Sequence, residues 1–230
     1  MKNKAFTMAE VLITLGILGV VISLTLPAVL GKYQKQEALA RLKRTYTLLN
    51  QALMLAENKY GEAKDWTDWN SSEKIINDYL APEFKVNKIY ESNDTLYEGM
   101  CYSGEKFFHT RGQYNWLNGV VISSPMITGT TSFMTIDGIC IGLSSTSATN
   151  ANFFVDVNGP VKGPNVAGKD LFFFVLEGNT IRPYGYDWKI EDITANKPRA
   201  CNINAPSGAG YTCTAKIMND GWEMRKDYPW

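Results

Sequence analysis

The chain has little of what enzymes and metal proteins are usually built from. It holds one histidine, His109, in 230 residues. Its four cysteines, Cys101, Cys140, Cys201 and Cys213, form no C-x-x-C pair. That spacing argues against the common zinc modules, which need thiolates and imidazoles a few residues apart. There is no G-x-S-x-G, no phosphate-binding glycine loop and no H-E-x-x-H, so the familiar nucleophile, nucleotide and zinc-protease signatures are missing. Surplus charge is missing as well, since 23 Lys and Arg balance 23 Asp and Glu. A dedicated nucleic-acid binder would carry a basic excess. The expectation is a non-enzyme with no cofactor, no metal and no specific nucleic-acid partner, in which His109 is a surface or sheet residue.

What is present is concentrated at the N-terminus, MKNKAFTMAEVLITLGILGVVISLTLPAVL. Lys2 and Lys4 lie in a short leader, residues 1–5. An apolar run follows from Phe6 to Leu30, interrupted near its start by Glu10. A bilayer span needs about 20 apolar residues, and an acid inside one is costly enough to mark a function. The run exceeds the 7–15 residue apolar core of a secretory signal, and Leu26-Pro27-Ala28 is a poor cleavage site. No cysteine nearby offers a lipid attachment point. A plain membrane anchor accounts for the length and leaves Glu10 without a role.

The segment Ala5-Phe6-Thr7-Met8-Ala9-Glu10-Val11-Leu12-Ile13 is followed by an unbroken apolar stretch with Pro27 near its end. It resembles the type IV pilins and the pseudopilins of type II secretion, strongly over residues 1–50 and weakly beyond. In that family a membrane peptidase cuts before the phenylalanine and methylates the new amino terminus. The resemblance therefore implies cleavage between Ala5 and Phe6, an N-methylated Phe6, and Glu10 as the fifth mature residue. The family usually has glycine before the cut. Ala5 is the smallest departure from it, and slower cleavage is expected. The resemblance further implies a filament-subunit precursor for a pilus or a secretion pseudopilus. Its partners are a prepilin peptidase, other copies or related subunits, an inner-membrane assembly platform, and membrane lipid before assembly. It is expected to be single-pass in the cytoplasmic membrane with an extracytoplasmic head, and later part of a filament in the periplasm or at the cell surface. In assembly Glu10 would pair with the amino terminus of a neighbouring subunit, and Pro27 would mark where the helix loosens. The alternative is a membrane-anchored extracytoplasmic binding domain that never polymerises.

Beyond Leu30 the pattern becomes amphipathic. Leu39, Leu42, Tyr46, Leu49, Leu53, Ala56 and Tyr60 recur at three- and four-residue steps, a helical seam that suits a spine for a globular head. One helix is predicted from about Phe6 to Lys59, with Gly61 as its stop and a kink or melted turn near Ser23 caused by Pro27. A short helix is predicted over residues 66–80. Ser132–Leu143 and Leu171–Tyr184 read as hairpins turning at Asp137-Gly138 and Gly178-Asn179, and Asn118-Gly119 marks a further turn. Phe153–Val157 reads as a strand, and residues 191–230 as irregular structure wrapping the sheet. The expected fold is α+β and pilin-like, a long N-terminal helix packed on an antiparallel sheet. Its parts are a leader 1–5, a transmembrane or filament-core helix 6–30, an amphipathic helix 31–60 and a β-rich head 61–230.

An even cysteine count in an exported head suggests two disulfides. Four cysteines allow three pairings. Cys201–Cys213 closes a short loop, worth roughly 3 kcal/mol in the chain-entropy account, and leaves Cys101–Cys140. Asp156-Val157-Asn158-Gly159, with Asn165 and Asp170 following, resembles the start of a calcium loop but lacks its late glutamate; a turn capped by Asp and Asn side chains is the simpler reading. The basic residues Lys32, Lys35, Arg41, Lys43 and Arg44 outnumber those of the leader. By the positive-inside rule alone they would place the head in the cytoplasm, against the cysteines and the resemblance.

Overall fold

A computed structural model describes residues 7–90, 101, 114–122, 131–145 and 147–230. It divides into two compact units, one ending at Glu37 and one spanning Ala38–Trp230. Helix α1, Met8–Tyr60, contributes to both.

In the first unit the side chains of α1 are apolar and exposed, from Met8 at 83% and Leu24 at 74% to Leu30 at 48%. An 18-residue window reaches a mean hydropathy of 2.3 with none of it buried, so the helix is long and apolar enough to cross a membrane. The melted turn expected near Ser23 is not there, because α1 runs unbroken through Pro27. Proline removes one backbone donor, and a single missing bond leaves the ladder on either side intact. The nearby hydroxyls are satisfied within the helix: Ser23 Oγ donates to Val20 O (2.8 Å) and Thr25 Oγ1 to Val21 O (2.8 Å). Such internal pairing suits an apolar surrounding.

The second unit is built on six antiparallel strands in chain order: β1 Val86–Tyr90, β2 Thr131–Thr135, β3 Cys140–Ser145, β4 Ala151–Asp156, β5 Leu171–Glu177 and β6 Thr180–Pro183. The fold is thus α+β, a long helix with an antiparallel sheet. One sheet face shares a core with α1, where Leu42, Leu49, Leu53 and Ala56 join Phe133, Phe153, Phe172 and Phe174. The Tyr46 ring stacks on Phe174 at 5.8 Å. The other face buries Cys140, Phe154, Leu171 and Phe173 under Tyr114 and Tyr211. This is why β5 reads LFFFVL without alternation, since a strand covered on both sides loses the period-two signal.

The two hairpins turn differently. Glu177 pairs with Thr180, so Gly178-Asn179 is a two-residue turn with Gly178 at φ +58°. At Asp137-Gly138 the loop holds three residues, because Thr135 N–H donates to Ile139 O (2.9 Å) and Gly138 takes φ +80°. The Thr135 hydroxyl selects this longer loop by donating to Asp137 Oδ1 (2.5 Å) while accepting from Ile139 N–H (3.1 Å).

Two further expectations are corrected. Residues 66–80 are not one α-helix. Tight turns at Ala63–Asp65 and Thr67–Asn70 precede α2, Ser72–Lys74, which widens into a π turn over Ile75–Leu80. The indoles of Trp66 and Trp69 donate to Gly61 O (2.8 Å) and Ala63 O (2.7 Å) and hold the segment in those turns. The C-terminal region also contains two short helices, α3 Ile190–Thr194 and α4 Cys213–Asn219. Residues 213–217 of α4 are buried, which removes the helical period that would reveal it.

The outer edge of β6 is closed by α1. Asn50 Nδ2 donates to Ile181 O (3.0 Å), and Ile181 N–H donates to Asn50 Oδ1 (2.9 Å). A side-chain amide thus takes the place of a neighbouring strand, and Pro183 offers no donor beyond it. Asn50→Ala should lower the stability of the detergent-solubilised chain by about 1–3 kcal/mol through these stranded backbone groups. An unchanged urea midpoint would show that the amide carries no such load.

Candidate functional site

Two of the places that the sequence singles out concentrate polar groups among the described residues. The first is the start of α1. Thr7 N–H and Thr7 Oγ1 both donate to Glu10 Oε2 (2.8 and 2.9 Å), and Glu10 N–H donates back to Thr7 Oγ1 (3.3 Å). This is a reciprocal capping box, in which residues three apart satisfy each other's free backbone donors at a helix start. Glu10 therefore has a local task that the reading of a lone acid in a span passes over. The signal was there in the spacing Thr7-Met8-Ala9-Glu10. None of these bonds uses Glu10 Oε1. Pro27, the other residue singled out in this helix, lies within its unbroken run. Ala5 and Phe6, with the expected cleavage point between them, lie outside the described residues, as does His109.

The second place is the connection from β4 to β5. Asp156 ends β4 fully buried, and Asp170 precedes β5 at 1% exposure. Asp156 Oδ1 accepts from Asn158 N–H (3.1 Å) and Gly159 N–H (2.9 Å), and its Oδ2 accepts from the Tyr114 hydroxyl (2.8 Å). Asp170 accepts from Val166 N–H (2.7 Å) at Oδ1 and Asn165 N–H (2.7 Å) at Oδ2. Asn158 Nδ2 donates to Gly163 O (3.0 Å), and Asn165 Nδ2 to Pro160 O (2.8 Å). Two carboxylates and two amides thereby fold the loop over itself, as the capped-turn reading of the sequence expected.

The electrostatics of this loop are unusual. Burial pushes the Asp156 carboxyl up to about 7, with Asp170 the next cause. Burial likewise raises Asp170 against the hydrogen bonds it accepts. Burial, then the nearby Asp156 charge, holds the Tyr114 hydroxyl well above its ordinary value, so it acts only as a neutral donor. Among the described residues no basic side chain forms an ion pair with either carboxylate. The basic residues of α1 that reach the head go elsewhere: Arg44 pairs with Asp137 (2.7 Å), and Arg41 donates to Val157 O (3.2 Å).

All four cysteines are bonded, Cys101 to Cys140 and Cys201 to Cys213. The first bond ties residue 101 to β3, and the second ties the loop at Cys201 to the start of α4. Among the described residues no group of three or more His, Cys, Asp or Glu side chains is placed to hold a metal.

Residues 28–107 match a family of unknown function, DUF6613. The matched stretch runs from the end of the apolar segment through the amphipathic part of α1 to β1 and beyond. No curated protein and no solved structure matches the chain.

The raised Asp156 carboxyl predicts a pH slope. Below about 4 the group is protonated whether the chain is folded or not. Between there and about 7 the folded head keeps the proton that the unfolded chain releases. Stability from this group is therefore lost as pH rises through that window. Asp156→Asn keeps the shape and removes the titration. The stability difference between wild type and variant, followed by thermal unfolding from pH 4 to pH 7.5, should shift steadily in the variant's favour. A difference that stays constant with pH would contradict the assignment.

Proposed function

We propose that the chain is a prepilin-like precursor of a filament subunit, of a type IV pilus or a type II secretion pseudopilus, with a structural rather than a catalytic role. The observation that carries this reading is α1 itself. One helix is exposed and apolar over residues 8–30, bears a single acid, Glu10, near its start, and continues without a break into the core of a disulfide-bonded head. A membrane holds the exposed stretch before assembly. Sister helices replace the lipid afterwards, an exchange of one apolar surrounding for another.

The other residues take their roles from the same reading. The peptidase cuts between Ala5 and Phe6 and methylates Phe6. Glu10 meets the amino terminus of a neighbouring subunit, and in a dry core that pair is far stronger than in water. Pro27 leaves one carbonyl without its helical donor, the place where the helix loosens on assembly. The head then lies on the extracytoplasmic side, where disulfides persist, and the inner-membrane platform and related subunits are its partners. A second reading, a membrane-anchored binding domain that does not polymerise, draws on one observation. The Thr7–Glu10 capping box gives the acid a purpose within a lone chain.

Processing tests the first reading directly. Mass spectrometry of the native protein should find a chain beginning at N-methylated Phe6, and Ala5→Gly should speed the cleavage or leave it unchanged. Protein that still begins at Met1 in cells with an active peptidase, or that is cut after Ala28, would remove the assignment.

A further inference from the structure

Arg199 stands in a backbone conformation that arginine rarely takes. Its φ is +66°, a strain that persists only where the surroundings impose it. Here they do. Arg199 N–H donates to Ser207 O (2.7 Å), and Arg199 O accepts from both Thr212 N–H (3.0 Å) and Thr212 Oγ1 (3.0 Å). The Cys201–Cys213 bond closes the loop that follows it. A Cβ on Gly208 would come within 3.2 Å of Arg199 Cγ, so the glycine leaves the side chain its room. The side chain so placed is exposed and lies on a row of aromatic rings. Trp188, Tyr184, Tyr211 and Trp116 follow one another at centroid spacings of 5.9, 4.4 and 5.9 Å. The guanidinium sits 5.7 Å from the centres of the two middle rings and donates to the Tyr184 hydroxyl (2.6 Å). That bond uses one of its five N–H groups. Among the described residues no carboxylate forms an ion pair with it. The acid nearest to it in sequence, Asp192, is taken by Lys197.

We propose that this row binds an acidic sugar, a chain of uronic-acid units: Arg199 takes a carboxylate, and Trp188 and Trp116 carry sugar rings on either side of it. A guanidinium braced against rings keeps its planar fork in one place, and that fork matches a carboxylate with two parallel hydrogen bonds. The C–H faces of a pyranose carry slight positive charge and pack on the electron-rich faces of aromatic rings. Trp188, Tyr184 and Trp116 are each half-buried, so part of every one of these rings is open to such contact. Other anionic chains fit less well. A nucleic-acid strand carries a charge on every nucleotide and is met by a groove of several cations, whereas this row offers one. An acidic peptide brings the carboxylate without a ring face to lay on the indoles. The row lies wholly in the head, so the proposal stands or falls apart from the filament reading.

The test titrates the full processed chain in detergent with hexagalacturonate, by calorimetry at neutral pH and low salt. The sugar should bind, and its methyl ester, in which every carboxylate is masked, should bind at least about tenfold more weakly. Arg199→Gly suits the left-handed backbone, so the head should fold while binding of the acid falls to the level of the ester. If that variant does not fold, Arg199→Asn, which also tolerates a positive φ, serves in its place, and the comparison of acid with ester decides alone if neither folds. No binding by wild type at about 1 mM sugar, or full-strength binding of the ester or by the folded variant, overturns the proposal. So does equally tight binding of an oligothymidylate or an oligoglutamate of the same charge.

Discussion

The packing of one stripe of α1 against the phenylalanines of the sheet is the contact on which the rest of the head depends. Leu42, Leu49 and Leu53 are at most 1% exposed, and Phe133, Phe153, Phe172 and Phe174 are fully buried. Truncating any one such leucine to alanine typically costs 2–5 kcal/mol, a large part of what holds a domain folded. The same helix closes the β6 edge through Asn50 and grips the β2–β3 turn through Arg44. Because the helix is unbroken from Met8 to Tyr60, the apolar segment is a continuation of the element that forms the head's core.

That continuity was legible in the sequence in two ways. The apolar run to Leu30 is long enough for a span, the seam from Leu39 to Ala56 repeats with the helix, and Gly61, at φ +87°, stops it where expected. The hairpins announced themselves through Asp137-Gly138 and Gly178-Asn179. What could not be read has physical reasons. The β2–β3 loop is three residues long because a threonine hydroxyl, not the Asp-Gly pair, sets its register. The segment around Trp66 and Trp69 is tied into tight turns by indole hydrogen bonds that reach back five or six residues. Helix α4 carries no stripe because its residues 213–217 are all buried, and Lys216 among them pairs with Asp220 and Asp227.

The two polar places differ in how far the sequence revealed them. Asp156, Asn158, Asn165 and Asp170 were visible as a pattern, but their burial exists only once β4 and β5 bring the loop's ends together. Glu10 was the reverse. Its oddness in an apolar run was plain, whereas its bonds to Thr7 are local and follow from a spacing of three. A capping box satisfies the helix start in any surrounding, so it neither requires nor forbids a partner chain. The question is whether the charge on Glu10 does more than the cap needs.

Glu10→Gln separates the two. Glutamine at this position still completes a capping box, so the helix start, membrane insertion and head should be preserved, while the negative charge is lost. The measurement is the number of filaments, or the amount of secreted product, in cells whose membranes carry the variant at the wild-type level. The filament account predicts that assembly collapses, because the amino terminus of the neighbouring subunit loses its counter-charge. Normal assembly by Glu10→Gln at a normal membrane level would contradict it and leave Glu10 as a helix cap alone.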